Sequence, residues 1–254
     1  LYFTSPNKDQ VAFNTYKERL KGLIINNSNN PERVFFDSVN VITNNRHLRE
    51  FPLDVNSLDK ISLDNAYDFY LDRFQNPEDF TFLFVGSLDE TIFYKYLNKY
   101  LASIPQSDRV DRWVDVGKRF PTKPINSTVY KGIEPKSFVY LGFGGPEEWS
   151  ELSSHKIKTL THTLKIRLRE ILREDMGGTY GVWMWSALQH YPKGQYKLNL
   201  LFGCSPENVE SMTNTVFAKI DSFKTYGLNE KYLKKTKEMQ LNELDKKLEE
   251  NDYW

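Results

Sequence analysis

The chain has 254 residues, of which 39% are apolar and 15% aromatic, a length and composition that suit two modest domains with ordinary cores. Its 34 basic and 34 acidic residues cancel, so no basic field speaks for nucleic acid or an anionic membrane surface. No apolar run approaches the ~18 residues of a bilayer span, no signal-peptide pattern is visible, and a sole cysteine, Cys204, excludes an internal disulfide.

Residues 1–4 read as a strand. Ser5-Pro6 suits a helix start, with Phe13, Tyr16, Leu20 and Leu23 following at helical spacing. A turn-rich break at 26–30 precedes a second helical stretch that opens at Pro31. Ser62 caps a helix running to about Phe74. Residues 80–85 form a β-prone run ending at Gly86, and Asp89 opens another helix. Prolines and charges then crowd together, and the domains are expected at 1–108 and 126–254, with 109–125 as linker. The second domain begins with two strand candidates, 127–133 and 137–143. A helix follows, striped by Ile157, Leu160, Leu164, Leu168 and Ile171. Residues 180–190 and 195–203 form a hairpin through Pro192-Lys193-Gly194, and two helices close the chain.

One internal repeat is visible. Tyr16, Leu20 and Leu23 lie 10, 14 and 17 residues after Pro6, and Val216, Ile220 and Phe223 lie 10, 14 and 17 after Pro206. Each proline follows a strand-like run and a serine. The repeat points to duplicated domains, with a chance recurrence of the common strand, cap and helix run as the alternative. The second copy's strand has two strands, a helix and a hairpin partner before it, whereas the first copy's strand is residue 1. The first domain is accordingly expected to be incomplete, and the second to hold at least four strands. Unpaired sheet edges favour self-association.

Metal chemistry finds no pattern. His155 and His162 share a helix face at i, i+7, about 10.5 Å apart along the axis, while ligands to one zinc each sit at about 2.0–2.1 Å. His47 and His190 stand alone, and neither His-x-x-x-His nor His-x-x-Glu-His occurs. Cys204, at a strand end, reads as a packed thiol. Glu147-Glu148 precede a helix, where acids complement the dipole. Gly142, Gly144 and Gly145 lack the Gly-Lys-Ser/Thr of a phosphate loop, and the lysines of 231–247 alternate with glutamates as on a solvated helix face.

Arg173 and Tyr180 flank Gly177-Gly178. In one reading Gly177 caps the helix, Arg173 complements its negative end and Tyr180 is a strand aromatic. In the other, the glycines make a tight reversal that brings a guanidinium and a phenol onto one ligand, such as a peptide backbone or a developing oxyanion. By helical rotation Arg173 lies opposite the apolar stripe, facing water or a cleft.

Three segments resemble one family. LREILREDMGGTYGV (168–182) is similar to the Arg…Tyr segment in the C-terminal half of the pitrilysin/insulinase zinc peptidases. SLDNAYDFYLDRFQNPEDFTFLFVGSLDETIFYKYLNKYLASIP (62–105) and FVYLGFGGP (138–146) resemble further segments of it, in the same order. The resemblance implies tandem duplicated α+β domains with antiparallel sheet packed against helices, two per half, closing around a peptide. It implies that an inverted His-x-x-Glu-His zinc site lies in the N-terminal half of the same polypeptide, with no cofactor in this part. It further implies that Arg173 and Tyr180 contact the peptide substrate, and that no catalytic residue falls in this chain. Large bacterial members are often exported to the periplasm. A non-catalytic assembly subunit of the same fold, and a peptide-binding module using sheet edges, are the alternatives.

Overall fold

The computed structural model describes residues 2–74, 76–105 and 112–251; the side chains of Asp79 and Tyr180 lie outside the described part. The chain divides into two units, one of Leu1–Val34 and Pro52–Val116, the other of Phe35–Phe51 and Gly117–Trp254.

The first unit is built on helices. Helix α1 (Gln10–Asn29) starts later than the Ser5-Pro6 signal, because the Asp9 carboxylate accepts from the Val11 and Ala12 amides at 2.8 and 2.9 Å and so satisfies the orphan donors of the first turn. The boundary between the units falls inside α2 (Pro31–Thr43). Helices α3 (Val55–Asp59), α4 (Leu63–Phe74) and α5 (Glu90–Tyr100) follow. The Lys17 ammonium ties α1 to the end of α3 by donating to the carbonyls of Asp59 and Ile61 at 3.0 and 3.1 Å. Phe3, Phe74, Phe80 and Phe82 form an aromatic cluster, with Phe3 and Phe80 ring centres 5.3 Å apart. No strand occurs among the described residues of this unit. Residues 2–4 form a turn and 80–85 run irregularly, correcting the two strands expected there. The rings of the two runs meet, Phe3 against Phe80 and Phe82, but no backbone ladder joins them among the described residues, and strand propensity is realised only through such a ladder. Leu58 and Asn76 are the buried residues of this unit among those described.

The second unit has the fuller core. In chain order it holds β1 (Ser137–Pro146), α6 (Glu151–Arg169), β2 (Thr179–Gln189), β3 (Gln195–Cys204), α7 (Val209–Tyr226) and α8 (Glu230–Leu248). The sheet is antiparallel in the order β1-β3-β2. Val139, Val182, Met184, Leu198, Leu200 and Phe202 alternate onto one face, where α6 brings Leu164 and Leu168, and α7 brings Met212 and Val216. Cys204 is buried in this cluster, and burial raises its thiol pKa. The sheet has three strands among the described residues, not the four or more expected. Residues 127–133 pair with nothing there, and Tyr130 is 92% exposed.

The α6 stripe also differs from expectation. Leu160 is exposed, while Thr161 and Thr163 are buried. The Thr161 hydroxyl donates to the Ile157 carbonyl at 2.7 Å and lies 2.7 Å from the Ser186 hydroxyl on β2; the Thr163 hydroxyl lies 3.1 Å from that of Thr236 on α8. Hydrogen bonding removes most of the cost of burying these groups, so threonine takes positions that an apolar count assigns to leucine. The paired helices of the repeat diverge too. Val216 on α7 is fully buried, with Ile220 and Phe223 packed on the core, whereas Tyr16 and Leu23 on α1 are exposed.

Candidate functional site

The candidate site lies where α6 gives way to β2. Ser150 caps α6, its hydroxyl accepting from the Ser153 amide at 3.0 Å, and Glu147 accepts from the Ser153 hydroxyl at 3.1 Å. Glu147 therefore serves the helix start. At the other end the helix does not stop as an α-helix. Glu170–Asp175 form a π-helical turn, in which the Met176 amide donates to Ile171 at 3.1 Å and the Gly178 amide to Leu172 at 3.3 Å. The wider turn lets two consecutive apolar residues, Ile171 and Leu172, both be buried. Such turns concentrate at functional sites.

The two glycines have different reasons. Gly177 has φ +61°, the left-handed conformation that ends a helix. Gly178 is needed for space: a Cβ there would lie 2.8 Å from the sulfur of the fully buried Met212. Arg173 sits on the π turn, exposed, with no ion pair among the described residues. Its guanidinium is therefore available to a ligand.

Tyr180 is the second residue of β2, inside a β-bulge. Thr179 pairs with Cys204 and Val182 with Phe202, so Tyr180 and Gly181 together stand opposite Gly203. The Thr179 hydroxyl donates to the Gly181 carbonyl at 2.9 Å and lies 3.2 Å from the Gly181 amide, bracing the bulge. The bulge has a packing cause. Thr179 and Val182 are both buried although three residues apart, which a regular two-residue alternation cannot achieve. Its trace in the sequence was the isolated Gly181 within a strand pattern.

The π turn links to α8. The Tyr232 hydroxyl donates to Glu170 at 2.6 Å, and Arg167 reaches the same oxygen at 3.2 Å. The bond from Tyr232, then Arg167, holds the Glu170 carboxyl below the usual glutamate range.

The histidines are dispersed. His155 is exposed on α6, with Nε2 3.4 Å from the Thr159 hydroxyl; His47 accepts from the Arg49 amide through Nδ1; His190 stacks between Trp149 and Tyr191. Among the described residues no three His, Cys, Asp or Glu side chains gather to hold a metal ion, and no helix is long and apolar enough to cross a membrane. These residues do not fit a zinc centre.

A helix that widens into a π turn, reverses at two glycines and enters a bulged edge strand of a small antiparallel sheet makes this an α+β domain. The description "Peptidase M16 inactive domain" matches residues 60–240, and the chain belongs to that family. It is 28% identical over 180 residues to the probable zinc protease PqqL of Haemophilus influenzae, covering 70% of this chain and 19% of that protein. Among solved structures it resembles the periplasmic protease PqqL from Escherichia coli (TM-score 0.74, 20% identity, 91% of this chain and 25% of that one). It also resembles a peptidase M16 inactive domain from Pseudomonas fluorescens (TM-score 0.70, 16% identity, 93% of this chain and 57% of that one). The chain thus spans about a fifth of the length of the curated relative.

Proposed function

We propose that this chain is the substrate-binding, non-catalytic part of a longer zinc-dependent peptidase, and that Arg173 and Tyr180 hold the peptide beside a zinc site carried in the N-terminal half of the same polypeptide. The observation that supports this most is the unpaired, exposed Arg173 on a π turn, one tight reversal before a tyrosine set in a β-bulge. Both irregularities leave regular geometry at the same point, and both occur in a member of the inactive-domain family. A guanidinium offers a planar set of donors and a phenol donates one hydrogen bond. Together they suit a peptide carbonyl, and the charge that grows on it when the carbon is attacked. The residues of this chain bind and orient; the bond-breaking chemistry belongs to the other half.

Zinc analysis and a fluorogenic peptide assay, run on this chain and on the longer polypeptide, test the proposal. The chain alone should hold no stoichiometric zinc and turn over no peptide, while the longer polypeptide should do both. Arg173→Lys keeps the charge and loses the planar fork, so it should lower turnover in the longer form. One tightly held zinc per chain in this segment, or turnover by it after rigorous purification, would contradict the proposal.

A further inference from the structure

The face of the second unit's sheet turned away from α6 and α7 is paved with rings lying over glycines. A Cβ at Gly181 would fall 3.0 Å from the Trp183 ring, at Gly142 2.9 Å from the Tyr140 ring, and at Gly203 3.4 Å from the Phe138 ring. The Tyr140 and Trp185 ring centres are 6.1 Å apart, and Asn199 joins them, accepting from the Tyr140 hydroxyl and donating to the Trp185 carbonyl at 3.4 Å. Trp183 is 48% exposed and Trp185 44%. A large aromatic that could pack but stays half in solvent is a contact in waiting.

These tryptophans stand on an edge strand. β2 pairs with β3 on one side only, and no backbone hydrogen bond leaves its other side for any described residue. Natural edge strands are usually blunted by lysine, proline or inward charge. From Thr179 to Gln189 β2 reads TYGVWMWSALQ, with no charge and no proline. β1, the other edge, is also paired on one side only, but it ends in a proline, and side chains already cover it: Phe35 and Phe36 pack on Phe138, and Phe120 lies over Gly144.

We propose that β2 is a docking edge for an extended peptide, which adds to it as a further strand while Trp183 and Trp185 take large apolar side chains two residues apart. An unpaired row of N–H and C=O groups calls for a backbone partner. The i, i+2 spacing of the tryptophans equals the same-face repeat of a strand, about 6.6–6.8 Å. The absence of charge selects a neutral, apolar segment. The strand begins at the Tyr180 bulge, so a peptide lying on it is continuous with the candidate site. The inference rests on reading this chain as a peptide-binding part and adds to it the residues that set side-chain preference.

The test uses this chain and a short fluorescein-labelled peptide alternating leucine with threonine, followed by anisotropy. Three comparisons decide it: the same peptide N-methylated at alternate residues, a Trp183→Thr/Trp185→Thr variant, and a Trp183→Tyr/Trp185→Tyr variant that keeps the rings. N-methylation and the threonine variant should each weaken binding at least about tenfold, as loss of aromatic anchors does, and the tyrosine variant should restore most of it. Hydrogen exchange should show peptide-dependent protection of β2 amides. Binding that Arg173→Ala weakens but the threonine variant leaves unchanged would overturn the docking edge and leave the Arg173–Tyr180 reading standing. The opposite pattern would support the edge alone. No binding by the wild-type chain would overturn both. β2 protection that rises with protein concentration and without peptide would mean a second copy occupies the edge, which also overturns the proposal.

Discussion

At the residue scale, a glycine pair at a helix end is legible in a sequence, but the reason for each member is not. Gly177 is there for its φ of +61°, with nothing within 4 Å of a Cβ; Gly178 has no such backbone demand and is there because Met212 is beside it. No local pattern could show that contact, because it joins residues 34 positions apart in the chain. The two substitutions should therefore fail differently. Gly178→Ala forces a buried methionine to move and should cost about 1–3 kcal/mol, the usual range for overpacking. Gly177→Ala meets no atom and should cost about 1–2 kcal/mol from its left-handed backbone alone, most of it recovered by Gly177→Asn, since asparagine tolerates that conformation. Urea unfolding of the three variants checks this. Equal losses for Gly177→Asn and Gly177→Ala would contradict the backbone explanation.

At the element scale, the α6–β2 junction shows where periodicity carries a reading and where it fails. The apolar stripe of α6 predicted the helix and left Arg173 in water, as found. It missed the π turn, because a change of pitch leaves the residue types unchanged, and it missed Thr161 and Thr163, because their burial depends on hydroxyl partners on other elements. The junction is docked to α8 through Glu170 and Tyr232, and that contact has a pH signature. The folded state depresses the Glu170 pKa below its ordinary value of 4.5. Its contribution is thus fully present above that value and is lost as pH falls through the lower, folded-state value. Thermal melts on either side of pH 4.5 should show a steeper acid loss for wild type than for Glu170→Gln. Parallel acid profiles for the two would show that the bond contributes nothing to stability.

At the scale of the whole molecule, the units differ in what holds them. The second has a sheet face filled by Leu168, Leu172, Leu200, Phe202, Met212 and Val216, all fully buried; the first buries Leu58 and Asn76 among its described residues. The α+β class and the hairpin were readable, because alternation and helical spacing are local. The runs at 80–85 and 127–133 were not, because a strand is a relation between two backbones and each run carries only one side of it. Native-state hydrogen exchange should therefore show the slowest amides in β3 and α7 and much faster exchange throughout α1, α4 and α5. Equal protection across both units would contradict this division. Unfolding of the chain is correspondingly expected in two steps rather than one.

In the proposed function, this segment holds substrate at Arg173 and Tyr180 for a reaction performed elsewhere in a longer polypeptide. The most direct test is the steady-state kinetics of Tyr180→Phe in that longer polypeptide, with a melting curve on the same preparation. The substitution removes one hydroxyl and keeps the ring. If the hydroxyl bonds charge that grows in the transition state, the barrier should rise by about 2.7–4 kcal/mol, the cost of losing an oxyanion donor. The loss should fall mainly on kcat, with KM little changed and Tm near that of the wild type. Normal kcat from a folded Tyr180→Phe enzyme would contradict the claim and leave Tyr180 as a strand aromatic at a bulge.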